Sequence, residues 1–187
     1  VYSCINRLLY DRIPESDVRK GWWVDASLKS PLLEHVTWNG VSGDAVAGLT
    51  IDNVKMAFLP YTNVKFGMNT VGGTLNDDDW PFMRVEEMIL IQIEGLAKSG
   101  SPAQAKAMLE DFIRTYRDPA YSADAAGRSL EDEIWFQRRV ELWGEGFSNN
   151  DTRRLNKPLV RFHGGEESNV PEAFRFNMTG DDGWWLM

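Results

Sequence analysis

Apolar residues recur at helical intervals along three stretches between positions 81 and 155, and alternate at period two only briefly before them. The first stretch, Pro81 to Gly100, is mostly Met, Ile and Leu, and it sets Arg84, Glu87, Ile91, Glu94 and Lys98 three or four residues apart on one helical face. Pro81 suits a first helical turn and Gly100 a left-handed end. Ser101-Pro102-Ala-Gln104 opens a second helix with a cap, a first-turn proline and a capping-box glutamine; Ala105, Met108, Leu109, Phe112 and Tyr116 make its stripe. Ser129 caps a third, with Phe136, Val140, Trp143 and Phe147 on its apolar side and Arg138, Glu141 and Glu145 on its charged side. A short fourth helix is predicted over 148–155.

The flanks read differently. Residues 1–80 are punctuated by Gly40, Gly43, Gly48, Gly67, Gly72 and Gly73. Val54-Lys-Met56-Ala-Phe58 and Val64-Lys-Phe66 alternate around the turn signal Pro60-Tyr-Thr-Asn63, which predicts one hairpin in a loop-rich segment. Residues 156–187 return to loop. The predicted organisation is therefore a loop-rich segment (1–80), a helical region (81–155) and an irregular C-terminal segment (156–187).

Charge and composition narrow the function classes. With 43% hydrophobic residues the chain can build a core. A net charge of −8 and pI near 4.8 argue against nucleic acid or an anionic membrane surface as partner. Cys4 is the single cysteine, so no internal disulfide forms, and no apolar run approaches the roughly 20 residues that span a bilayer. The chain starts at Val1 without an export signal and stops in the apolar run Trp184-Trp185-Leu186-Met187. Both ends lead to the expectation of a soluble piece of a longer protein.

No catalytic or metal site emerges from the residue types. The acids of the two charged faces alternate with arginines, as ion pairs between packed helices do, rather than standing as an acid/base pair. Asn76-Asp77-Asp78-Asp79 lacks the glycine and distal glutamate of a calcium loop and suits a solvated loop before a helix. His35 and His163 have no cysteine nearby for a zinc site. No cofactor is expected.

Two separate motifs carry a resemblance. Arg84, Glu87, Leu90 and Glu94, followed by Gly95 where Ala is usual, match the pattern Arg-x-x-Glu-x-x-Leu-x-x-x-Glu-Ala. Glu141, Leu142, Glu145 and Gly146, then Asp151 and Arg154, match Glu-Leu-x-x-Glu-Gly followed by Asp-x-x-Arg. In this the chain resembles the C-terminal region of the SusD/RagB family of surface glycan-binding lipoproteins. The resemblance extends more loosely through Asp17-Val-Arg19 and Lys65-Phe66. It implies a mainly α SusD-like fold with TPR-like helical hairpins, and an exported, lipid-anchored parent at the outer-membrane surface. It further implies non-catalytic capture of oligosaccharide for uptake through a SusC-like TonB-dependent transporter. A TPR-like protein-interaction scaffold without sugar binding is the alternative.

The eight tryptophans gain meaning in that light, since a flat ring stacks on the apolar face of a sugar. Trp38 is the first candidate for glycan contact, because Thr37 and Asn39-Gly40 put it in a polar loop. Trp22, Trp23 and Tyr61 follow, whereas Trp80, Trp135 and Trp143 are read as core. Arg84, Glu87, Glu94, Arg138, Glu141, Glu145, Asp151 and Arg154 are read as structural ion pairs.

Overall fold

The computed structural model describes residues 3–33, the backbone of 37–38 and 41–42, and residues 59–66, 82–162 and 168–178. Its elements are α1 (Arg7–Tyr10), β1 (Thr37–Trp38), β2 (Val41–Ser42), α2 (Val85–Lys98), α3 (Pro102–Tyr116), α4 (Leu130–Glu141) and α5 (Phe147–Arg154), with short 3-10 turns between. The molecule is mainly helical, and it divides into the compact units Val1–Trp80 and Pro81–Met187.

In the helical unit, α2 packs along α3 and against α4, and α5 against α4. Leu90 and Ile93 of α2, Ala105, Leu109, Phe112 and Ile113 of α3, and Ile134 and Leu142 form one buried cluster. The α2–α3 hairpin turns where the sequence places it. Gly100 takes φ +86° and the Ser101 amide donates to the Leu96 carbonyl at 3.0 Å, which closes the helix with a six-residue C-terminal motif. Pro102 opens α3, but the Ser101 hydroxyl makes no capping bond. Ser129 does cap α4: its Oγ accepts from the Asp132 amide at 3.1 Å. Glu131, Asp132 and Glu133 fill the first turn of α4, and Arg138 and Arg139 its last, each sign at the favourable end of the dipole.

Several helical expectations shift. The first helix begins at Val85, so Arg84 is its extended N-cap residue (φ −116°, ψ 148°) rather than part of a helical face. The predicted Trp143–Phe147 stripe is broken: α4 stops at Glu141, Gly144 and Gly146 adopt φ +80° and +88°, and Phe147 opens α5. Tyr116, the last residue of α3, is 60% exposed rather than part of a buried stripe. Trp135 and Trp143 are half-buried rather than core.

In the first unit the segment around Thr62 lies between two others. Ile5 donates to the Tyr61 carbonyl and Val24 to the Thr62 carbonyl, both at 3.0 Å, while isolated bridges join Cys4 to Thr62 and Trp23 to Asn63. Ile5, Leu9, Ile13, Trp23, Val24 and Tyr61 are the buried apolar residues described in this unit, with Tyr10. Asp17 and Arg19 are buried together, paired at 2.7 Å. Arm 54–58 of the expected hairpin lies outside the described residues, as do Pro81, Trp80, the acidic run 76–79, both histidines and the tail 179–187. The hairpin that is described is β1–β2, antiparallel with Trp38 opposite Val41. Asn39-Gly40 fall between those partners, a strong two-residue hairpin signal. Near the C-terminus, Leu159 and Met178 exchange both backbone hydrogen bonds.

Candidate functional site

Two ion networks hold the helical unit together. At the first, Glu141 at the end of α4 is fully enclosed. Arg117, just past α3, donates to it through both prongs of its guanidinium, Nε to Oε2 at 2.8 Å and Nη2 to Oε1 at 2.9 Å. Arg84, at the start of α2, donates Nη2 to Oε1 at 2.8 Å and lies 3.2 Å from Glu145. One carboxylate thus joins the ends of three helices. Burial opposes the charge on Arg117, but Glu141 and Glu86 outweigh it and raise its pKa above the ordinary arginine value.

At the second network, Asp151 of α5 accepts from Arg138 of α4 at 2.8 Å and from Arg154 at 2.8 Å. Arg154 reaches on to Glu94 of α2 at 2.7 Å, and Lys98 meets Glu94 at 2.9 Å. The bond from Arg154, aided by Lys98, overcomes burial and holds the Glu94 carboxyl down at about 2. Glu87 has no ion-pair partner among the described residues. The Arg139 guanidinium lies 4.7 Å from the centre of the Trp135 ring.

Arg117 and Glu133 were not among the sequence candidates. Glu133 is enclosed and accepts from the Tyr121 hydroxyl, Gln137 and Arg128 at 2.8, 2.8 and 2.6 Å. A charge count was the available signal for Arg117: Glu86, Glu141 and Glu145 against Arg84 alone leave a deficit that a second cation fills.

The aromatic candidates separate. Trp23 is 1% and Tyr61 8% exposed. Tyr61 packs edge-on against Tyr10 with centroids 5.0 Å apart, and burial, then Asp25 and Glu15, push the Tyr10 hydroxyl up to about 12. Rings enclosed in this way offer little open face for stacking, and Trp23 and Tyr61 are the weaker candidates for that reason. Trp22 remains half-buried, tilted 55° to Trp23, with Lys65 Nζ 4.8 Å from its ring centre and 5.1 Å from that of Phe66. Trp38 lies on β1, in a paired strand rather than an irregular loop. A separate cleft of about 190 Å³ opens between α2, α4 and α5, beside Glu94, Lys98, Trp135, Arg154 and Lys157. Glu94 there pairs with Arg154, and Lys157 with Asp132 at 2.6 Å, whereas Glu131, which also lines the cleft, has no ion pair among the described residues. Among the described residues no group of acidic, His or Cys side chains is arranged to hold a metal ion.

Helical hairpins tied at their ends by arginine–carboxylate networks, built from two motifs in this order, define the class as a SusD-like helical protein. The sequence model of the SusD family matches residues 37–178, and the chain belongs to that family. A solved SusD-like carbohydrate binding protein from Bacteroides vulgatus ATCC 8482 has the same fold, with a TM-score of 0.56 at 23% identity. The match covers 94% of this chain and 33% of the other, so the chain spans about a third of that protein's length. A search of the curated proteins finds no match.

Proposed function

We propose that this chain is part of a non-catalytic protein that binds a neutral or weakly charged oligosaccharide at the bacterial cell surface and passes it to a SusC-like TonB-dependent transporter. Membership of the SusD family over residues 37–178 is the observation that carries the reading. The ligand class is supported by the similarity to a solved SusD-like carbohydrate binding protein. A lipid anchor on the parent would hold it at the outer membrane; no helix among the described residues is long and apolar enough to cross one.

The carboxylates of the two ion networks are unsuited to acid catalysis of cleavage. A glycosidase needs a carboxylic acid whose pKa is raised so that it can protonate a leaving group. Glu94 is held at about 2, and Glu141, Glu133 and Asp151 each accept from arginine. Trp22 supplies a partly accessible ring, with Lys65 as a donor to hydroxyl groups, and Trp38 is the second candidate. Stacking on a neutral sugar involves little charge, so affinity should be modest and nearly independent of salt. Calorimetry of the full-length protein against a panel of polysaccharides, paired with a reducing-sugar assay, tests this. Binding without sugar release supports the proposal. Release of product sugars, or binding to no glycan, refutes it.

A further inference from the structure

The cleft between α2, α4 and α5 combines two kinds of wall. Ile134, Leu155 and the half-buried ring of Trp135 supply apolar surface. Lys98 and Lys157 supply ammonium groups, the first paired with Glu94 at 2.9 Å and the second with Asp132 at 2.6 Å. An ammonium carries three N–H groups, so both keep donors for a further acceptor. Lys157 Nζ also lies 5.7 Å from the centre of the Trp135 ring, which sets a donor beside the aromatic surface. Glu131, in the first turn of α4, is exposed and has neither a hydrogen bond nor an ion pair among the described residues. Both of its oxygens can accept.

The balance of charge selects the ligand. Lys98, Arg154 and Lys157 are set against Glu94, Glu131 and Asp132, so the cleft holds no strong field for an ion of either sign. A neutral ligand rich in hydroxyls suits such a wall, because each hydroxyl both donates and accepts. A sugar ring adds an apolar C–H face that matches an aromatic side chain. The volume, about 190 Å³, lies below the roughly 300 Å³ at which sites for drug-sized ligands begin, so one ring fits rather than a chain of them. We propose that this cleft is a second sugar subsite that takes a single neutral pyranose unit. Glu131 accepts from its hydroxyls, Lys98 and Lys157 donate to them, and Trp135 lies against its C–H face. The subsite is separate from Trp22, which belongs to the other compact unit. The inference takes its ligand class from the proposed function and its location from the cleft alone.

The test is fluorine NMR of the full-length protein carrying fluorotryptophan, with the Trp135 signal identified by its loss in Trp135→Phe. Glucose, galactose, mannose and xylose are the probes, each raised to about 50 mM, since one ring with few contacts binds in the millimolar range. At least one of them should shift the Trp135 signal saturably. Glu131→Ala, an exposed change outside the core, should weaken that titration about tenfold, the effect of losing one hydrogen bond to a charged group. Trp22→Ala should leave it unchanged. A Trp135 signal that no probe moves, that glycerol moves equally, or that titrates alike in wild type and Glu131→Ala overturns the inference. Loss of the shift in Trp22→Ala does so too. Polysaccharide binding with a silent Trp135 signal sinks the subsite alone, whereas a saturable Trp135 shift in a protein that binds no polysaccharide sinks the surface-capture reading alone.

Discussion

Glu141 is fully enclosed, and its charge is met by Arg84 and by both prongs of Arg117. Removing Glu141 takes away the carboxylate that Arg84 and Arg117 share and leaves them only Glu86 and Glu145, which costs about 3 kcal/mol, the low end for a broken buried pair. Glu141→Ala should therefore shift the urea midpoint sharply downward; a midpoint equal to wild type would show that the cluster contributes nothing. Glu94 is a milder case, because Arg154 is 41% exposed and the pair is screened by solvent, so Glu94→Gln should cost about 1 kcal/mol. Its pH dependence has a definite sign. The folded pKa, about 2, lies below the ordinary 4.5, so this stabilisation is present above pH 4.5 and is lost as pH falls towards 2. Stability measured between pH 5 and pH 2 should fall less steeply in Glu94→Gln than in wild type. Equal slopes would contradict the assignment. The charged residues of both motifs could be named from spacing alone, but their pairing could not. Spacing put Arg84 on a helical face, whereas the chain extends there and the side chain reaches the far ends of α4 and its following turn. Arg117 and Glu133 lie outside both motifs, and which acids and bases they meet is decided only when the helices pack.

Element boundaries follow local chemistry where a residue type has a single role. Ser129 is such a residue, and Ser129→Ala should cost about 1 kcal/mol through loss of its bond to the Asp132 amide. Gly100 is another. The break after α4 was hidden because Phe136, Val140, Trp143 and Phe147 keep a helical period across it, while Gly144 and Gly146 set the backbone. Gly146 holds φ +88° with open space about its Cβ, so Gly146→Ala meets backbone strain alone and should lose about 1–2 kcal/mol. A calorimetric melt of that variant matching wild type would show that the turn can relax without cost. The β1–β2 hairpin was legible in Asn39-Gly40, yet those residues were read as an open loop around Trp38. Two strands of two residues each make too short an alternation for periodicity to reveal.

At the scale of the molecule, the mainly helical SusD-like fold follows from two motifs on paired helices, and the family match over residues 37–178 agrees with it. The aromatic surface was less legible, because composition counts tryptophans and tertiary contacts decide which remain accessible. Adjacent Trp22 and Trp23 differ for that reason: the Trp23 ring is enclosed, whereas the half-buried Trp22 ring lies 4.8 Å from the Lys65 ammonium. The central claim is glycan binding without cleavage, with Trp22 as a stacking surface. Isothermal titration of the full-length wild-type protein and its Trp22→Ala variant, each with the best-bound oligosaccharide of the panel, tests it most directly. The account predicts salt-insensitive binding by wild type and about a tenfold weaker affinity for the variant, equivalent to ~1.4 kcal/mol. Equal affinities for the two proteins would contradict it.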